Sequence, residues 1–301
     1  MPKKSSKLLL KLAGLFSVVR GYNILMIILA QYLASIFIIA PNYLSTDEIL
    51  LDVNLFLLIL SSSLVIASGY IINNFYDSEK DLINRPLKTH IDNLVSSQTK
   101  LSFYFILNLL AVIIASYVSF NSVIFFSIYI FTIWLYSHRL KKYAFIGNFA
   151  AALLAVTPFF VIFIYYINFD LVIFVHALFL FTIISMRELV KDLENLRGDF
   201  AQNYQTIPVK YGAKLSKKLL TFSSVLSLIP VYILLNFFEV GYMKYYFILS
   251  LLLLLLFTIS VWYAKKKIHY LLLHNLLKFI IVFGVFCILL IDLDVFLKRI
   301  L

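Results

Sequence analysis

The 301-residue sequence is poor in charged residues, in acidic residues and in cysteine. Only 14% of its residues are charged and 62% are hydrophobic, so the chain has too little polar surface to cover a soluble globule. The chain has a single cysteine, Cys287, which lies in an apolar run. One cysteine cannot form a disulfide framework or a cysteine-rich metal site. The 26 basic residues outnumber the 15 acidic ones, but they stand in short clusters between apolar runs, which argues against nucleic-acid binding. The composition is that of a protein whose main solvent is lipid.

Long apolar runs account for most of the chain. A helix needs about 20 residues to cross a hydrocarbon core about 30 Å thick. No small-residue cleavage pattern follows the first run, so we expect a span there and not a cleaved signal. The sequence therefore predicts an all-α polytopic membrane protein, with one transmembrane domain over 1–301 that includes a basic tail at 1–19. The nine predicted spans are 22–40, 55–73, 102–120, 122–136, 144–167, 171–189, 219–238, 245–264 and 271–290. The fourth is short, and a re-entrant hairpin at 102–137 is the alternative.

The basic residues predict the orientation of these spans. With the N-terminus inside, every Lys and Arg except Lys244, Lys298 and Arg299 falls on the cytoplasmic side, as the positive-inside rule requires. We therefore expect an integral protein of the cell membrane with a cytoplasmic N-terminus and an external C-terminus. The two longest connections, 77–101 and 190–216, are then cytoplasmic, and loops of that length are usually functional or disordered.

Polar side chains recur at helical spacing where the second span ends. Asn73, Asp77 and Asp81 are four residues apart and would share one face of a continuing helix. Like charges at that spacing repel, whereas a hard divalent cation such as Mg²⁺ would stabilise such a row of oxygen atoms. For this motif alone, a solvated helix end with scattered acids is an alternative that the spacing leaves open.

A second motif of the same kind ends the sixth span. Asp192, Asn195 and Asp199 also share a helical face, on the same side of the membrane as the first motif. Charges near membrane depth are costly unless they face a polar cavity, so the two faces should point at each other and form a clamp for a metal-bound diphosphate. The groups expected to neutralise the diphosphate are basic or hydroxylic: Lys191, Arg85, Tyr136, Ser137, Arg139 and Lys141.

These motifs resemble those of the UbiA superfamily of intramembrane prenyltransferases. The first motif at 73–81 with Asn-Arg-Pro at 84–86 is similar to the family pattern, as is the second motif at 191–199. The segments 136–148 and 198–212 are similar too, and Arg20 with Asn23 resembles the start of the family's first helix. The similarity runs from about 20 to 212. The chain departs from the family pattern at 87–91, at Gly21, where Pro is common, and at Asn74 and Asn195, where Asp is common.

The resemblance implies a nine-helix bundle that transfers an isoprenyl group from a polyprenyl diphosphate to an acceptor, with Mg²⁺ as the cofactor. It implies Asp77, Asp81, Asp192 and Asp199 as catalytic metal ligands, with Asn73 and Asn195 as neutral ones. The residues that it implies for diphosphate binding are Asn73, Lys191, Lys141, Arg139, Arg85, Tyr136, Ser137, Arg20 and Asn23.

The acceptor is less sharply indicated than the reaction. The run at 187–199 looks most like the branch that prenylates geranylgeranylglyceryl phosphate in ether-lipid synthesis. The alternative is an aromatic acceptor of quinone biosynthesis, hydroxybenzoate or dihydroxynaphthoate, because the fold and the diphosphate chemistry are shared. A membrane transporter is a remote alternative, since transporters place their acids near the bilayer midplane. The expected partners are a polyprenyl diphosphate, a lipophilic or aromatic acceptor and membrane lipid, with no nucleic acid.

Overall fold

The computed structural model describes residues 13–292. Within that range, nine helices are long and apolar enough to cross a membrane, so the predicted all-α, nine-span architecture is confirmed. Residues 13–18 of the predicted basic tail are helical, whereas 1–12 and the C-terminus lie outside the described residues. The spans are α1 (Gly21–Ile39), α2 (Val53–Tyr76), α3 (Ser97–Val118), α4 (Phe120–Lys142), α5 (Ile146–Tyr166), α6 (Leu171–Glu194), α7 (Ile207–Phe237), α8 (Met243–Tyr263) and α9 (Lys267–Leu290).

Apart from the start of α7, the bounds of the spans lie within six residues of their predictions. Helices α3 and α4 span 22 and 23 residues and are each long and apolar enough to cross a membrane, which favours two spans over the re-entrant alternative. The Ser119 hydroxyl caps α4 by accepting the Ser122 N–H at 3.1 Å. Helix α7 begins 12 residues before its predicted start at Leu219, with a kink at Gly212, where φ is 81°. Its first turns are basic, so a search for apolar runs passes over them. One of these bases, Lys217, donates to the Ala264 carbonyl at the end of α8 (2.6 Å).

Helix α2 is the centre of one half of the bundle. It is lined with small buried serines, which let neighbouring helices approach closely and form hydrogen bonds in an environment without water. Ser61 donates to the Ala111 carbonyl of α3 at 3.2 Å, and Ser68 donates to the Asn108 side chain at 2.5 Å. Gln31 of α1 reaches both Ser62 and the α5 backbone. These contacts fix α2 among α1, α3 and α5.

Helix α6 is the centre of the other half. Phe179, Ile183 and Met186 pack into a hydrophobic core with residues of α7, α8 and α9, including Phe247 and Leu277. Both α2 and α6 end at the same end of the bundle, and each is followed by a short helix, Ser78–Asn84 and Leu196–Ala201 respectively. The fold thus brings the two polar motifs together at one end of the bundle.

Candidate active site

Each acidic motif runs through a bend at the end of its span. Asp77 (φ −92°, ψ 3°) separates α2 from the helix Ser78–Asn84, and Asn195 (φ −97°, ψ 9°) separates α6 from Leu196–Ala201. The hydrogen bonds between residues four apart nevertheless continue, from Asp77 N–H to Asn73 and from Asp199 N–H to Asn195. The motifs therefore lie on bent helices, and the helical spacing expected from the sequence is kept.

Asn84 joins the two short helices. Its side-chain amide donates to the Asn195 carbonyl at 3.2 Å, and its side-chain oxygen accepts the Gly198 N–H at 3.1 Å. A Cβ atom on Gly198 would overlap the Asn84 side chain, so only glycine permits this close approach. Lys267 of α9 donates to the Asn84 carbonyl at 2.5 Å and adds the last span to the junction.

Asp77 is the centre of the charge cluster. Its Oδ1 atom lies 2.8 Å from Lys141 Nζ and 3.3 Å from Lys80 Nζ, and it accepts the Tyr204 hydroxyl at 3.1 Å. Lys141 also donates to Asn73 Oδ1 at 3.1 Å. Burial alone would raise the pKa of Asp77, but Lys141 and Lys80 outweigh it and hold the pKa below its ordinary value. Asp77 is therefore held as an ionised carboxylate by the ammonium groups of Lys141 and Lys80.

The second motif faces this cluster through Asp199. Its carboxylate is buried, lies 3.5 Å from Lys80 Nζ and accepts a 3.4 Å hydrogen bond from Thr206. Burial raises its pKa, because Lys80 compensates the desolvation only in part. Asp192 lies on α6, seven residues or about two turns before Asp199, and accepts a hydrogen bond from the Asn148 side chain at 2.8 Å. Lys191 pairs with Glu188 at 2.8 Å. The expectation that the two motifs face each other agrees with this geometry.

The remaining predicted site residues divide into two groups. Arg85 lies beside the cluster but pairs with Glu194 at 3.3 Å, and Tyr136 is half-buried near Glu188, Asp192 and Asp77. Asp81 is half-buried and forms no ion pair with a described residue, and Ser137 is buried.

Three predicted site residues lie outside the cluster. Arg139 is exposed and contacts the Tyr143 hydroxyl, and Arg20 and Asn23 both contact Tyr70. Tyr70 is seven residues before Asp77 on α2, or about 10 Å along the helix. The roles of all these residues stay predictions.

Three residues of the cluster were missed by sequence reasoning. Lys80 stands between Asp77 and Asp81, so a cation inside an acidic motif was a visible signal. Asn148 lies in the segment 136–148 that resembles the family, but its partner was not indicated. Tyr204 reaches Asp77 because the Gln205 N–H bonds to the Lys142 carbonyl at 2.8 Å and brings the loop after Ala201 to the end of α4. Nothing local in the sequence predicts that contact.

The oxygen atoms of the cluster fit a Mg²⁺–diphosphate better than a bare metal ion. Among residues 13–292, no three His, Cys, Asp or Glu side chains are close enough to form a metal centre by themselves. Two buried oxygens, Asn195 Oδ1 and Asp199 Oδ1, accept no hydrogen bond, although Asp199 Oδ1 lies 3.5 Å from the Lys80 ammonium. Such hard oxygens are the ligands that Mg²⁺ prefers. Mg²⁺ usually binds one or two carboxylates together with phosphate oxygens and water, so the protein need not supply a complete shell.

Comparison with known proteins agrees with this geometry. The model of the UbiA prenyltransferase family matches residues 28–270. The digeranylgeranylglyceryl phosphate synthase of Methanobrevibacter smithii is 28% identical over 75% of this chain and 80% of its own length. The same enzyme of Thermococcus sibiricus is 33% identical over 54% of this chain and 57% of its own length.

Solved structures extend the likeness over most of the chain. A structure from work on digeranylgeranylglyceryl phosphate synthase in membranes superposes with a TM-score of 0.64 at 26% identity, over 92% of this chain and 97% of that one. A UbiA homologue from Archaeoglobus fulgidus bound to GPP and Mg²⁺ superposes with a TM-score of 0.66 over 91% and 99% of the two chains. At 17% identity, this likeness shows only that the two chains share a fold. With a family model matching well over half of its length, this chain belongs to the UbiA prenyltransferase family and is an integral membrane prenyltransferase.

Proposed function

We propose that this enzyme transfers a geranylgeranyl group from geranylgeranyl diphosphate to geranylgeranylglyceryl phosphate. The acceptor is inferred from the name that the relatives share, digeranylgeranylglyceryl phosphate synthase. The product in that name holds two geranylgeranyl groups. In the reaction, the bond between the allylic carbon and the diphosphate oxygen breaks, and the diphosphate leaves with the electron pair. The acceptor hydroxyl oxygen forms an ether bond to that carbon and loses its proton.

The metal proposed for this chain is Mg²⁺, and its ligands would come from both motifs. Support comes from the hard oxygen atoms that converge there and from the Mg²⁺ bound by the A. fulgidus homologues. Bound Mg²⁺ would neutralise charge on the departing diphosphate. The proposed ligands are Asn73, Asp77, Asp81, Asp192, Asn195 and Asp199.

Lysines of the cluster would hold the diphosphate oxygens. Lys141 is buried beside Asn73 and Asp77, so its ammonium is fixed in a site from which water is largely excluded. A preorganised cation in such a site stabilises developing negative charge without reorganising first. Lys191, which Glu188 holds at 2.8 Å, would contribute a second cation, and the Tyr136 hydroxyl would be a hydrogen-bond donor.

An apolar cavity deeper in the bundle would receive the prenyl chain. It has a volume of about 120 Å³ and lies among α1, α5, α6, α8 and α9, with Phe179, Ile183, Tyr246 and Phe247 in its wall. Ile183 is nine residues before Asp192 on α6, or about 13 Å along the helix. A diphosphate at the motifs could therefore extend its chain along α6 into this cavity.

We further propose that the site and the N-terminus face the cytoplasm and that the C-terminus is external, because the basic residues divide between the loops in that sense. A tag at each end, probed by protease or by a membrane-impermeant label in sealed cells, tests this. Both tags on one side would contradict the orientation.

A direct assay tests the reaction. The detergent-purified protein is incubated with geranylgeranyl diphosphate, Mg²⁺ and one acceptor at a time, and diphosphate release and the mass of the product are measured. We expect the ether product with geranylgeranylglyceryl phosphate and none with hydroxybenzoate or dihydroxynaphthoate. Prenylation of an aromatic acceptor instead would overturn the proposed acceptor and leave the family reaction intact.

A further inference from the structure

We propose that Lys80 is a tethered cation that bridges the two acidic motifs when no divalent metal is bound, and that it competes with the metal for their carboxylates. The inference deepens the proposed function and rests on its use of a divalent metal. Lys80 would be a positioning residue, since it acts through the carboxylates of Asp77 and Asp199.

The position of the Lys80 ammonium supports a bridge. Its Nζ atom lies 3.3 Å from Asp77 Oδ1 and 3.5 Å from Asp199 Oδ1. Among residues 13–292, no other lysine or arginine pairs with carboxylates of both motifs. The Tyr204 ring faces the same ammonium at 4.5 Å, and its hydroxyl donates to Asp77. The Lys80 side chain is only 14% exposed, so solvent screens these contacts weakly.

The backbone explains why Lys80 reaches both acids. Lys80 lies in the first turn after the bend at Asp77, three residues on, so the two side chains share a face of the short helix. Asp199 lies on the other short helix, which the hydrogen bonds between Asn84 and Gly198 and Asn195 hold against the first. The junction through Asn84 therefore sets Asp199 opposite Lys80.

The charge balance of the cluster explains why Lys80 would compete with a metal ion. Without Lys80, the buried carboxylates of Asp77 and Asp199 would confront each other, because Lys141 pairs with Asp77 but not with Asp199. The ammonium compensates both acids in the metal-free protein. A divalent cation that binds both carboxylates must displace it, and so the apparent affinity for metal is lowered by the tethered charge.

Metal binding without prenyl substrate tests the proposal. Mn²⁺ is titrated into the detergent-purified full-length chain, and free Mn²⁺ is measured by electron paramagnetic resonance. We expect Lys80→Met to bind Mn²⁺ at least about tenfold more tightly than the wild type, because a buried positive charge no longer competes. Lys80→Arg keeps the charge and should remain within about twofold of the wild-type affinity.

Lys88→Met is the matched control. Lys88 also pairs with an acid on its own helix, Asp92 at 2.5 Å, but lies outside the cluster, so its loss should leave the Mn²⁺ affinity unchanged. Wild-type affinity in Lys80→Met, or an equal gain in Lys88→Met, would overturn the proposal. Should Lys80→Met elute as an aggregate on size exclusion, Lys80→Gln is judged by the same criteria.

A second readout follows the metal-free state. Saturating Mg²⁺ should raise the unfolding midpoint of Lys80→Met by more than that of the wild type, since only the variant lacks a counter-charge beforehand; an equal rise would contradict the bridge. Transfer activity of the wild type is measured separately. A wild type without transfer activity, together with tighter Mn²⁺ binding by Lys80→Met, would reject the proposed function and leave the role of Lys80 in place.

Discussion

Asp77→Asn removes the central charge of the cluster while keeping its shape. The amide oxygen can still accept the Tyr204 hydroxyl, and Lys80 keeps Asp199, so the change acts mainly on Lys141. The Lys141 side chain is 5% exposed and would be left as a buried ammonium without a carboxylate. Breaking a buried ion pair in this way costs about 3–5 kcal/mol of unfolding free energy. Loss of a metal ligand from a preorganised site should also slow transfer about a hundredfold.

A double variant separates these two effects. Asp77→Asn combined with Lys141→Met removes the stranded charge as well, so most of the lost stability should return while transfer stays slow. The unfolding free energy is measured by titration with a denaturing detergent in mixed micelles, and transfer is measured as diphosphate release. Glu79→Gln, at an exposed position on the same short helix, is the control and should change neither quantity. A double variant as unstable as the single one would refute the buried pair, and normal transfer by Asp77→Asn would refute the site.

Asp192→Ala should reduce transfer about a hundredfold without unfolding the protein, because it removes a ligand on the second motif; near-normal activity would exclude Asp192 from the site. Excess EDTA should abolish transfer and added Mg²⁺ should restore it, whereas full activity in EDTA would reject the metal mechanism. Asn195→Asp should lower the Mg²⁺ concentration for half-maximal rate, since it adds charge where a buried amide oxygen has no donor, and an unchanged titration would reject only this role. Gly198→Ala should lower the unfolding free energy by about 1–3 kcal/mol, because the new methyl group overlaps Asn84; a wild-type value would mean that the junction is not tight.

The span count and the two motifs were predictable because they depend on features that are local in the chain. A helix that crosses the membrane must satisfy its backbone polar groups within itself, so the length of an apolar run is enough to identify it. The same holds for the spacing of Asn73, Asp77 and Asp81, which the helical hydrogen bonds preserve even across the bend. The start of α7 was misplaced because its first turns are basic, and hydropathy does not distinguish a polar helix from a loop.

Only the tertiary structure decided which cation meets which acid. Arg139 and Lys141 are two residues apart and looked equivalent, yet Lys141 is buried against Asp77 and Arg139 is exposed beside Tyr143. Tyr204 and Asn148 reach the motifs through contacts between elements far apart in sequence. The sequence by itself determined the spans and the polar faces, because hydrophobic run length and helical period are properties of neighbouring residues. The pairing of charges depended on the packing of α2, α4 and α6 and on the junction through Asn84, because a side chain four carbons long reaches its partner only where the backbones bring it within a few ångströms.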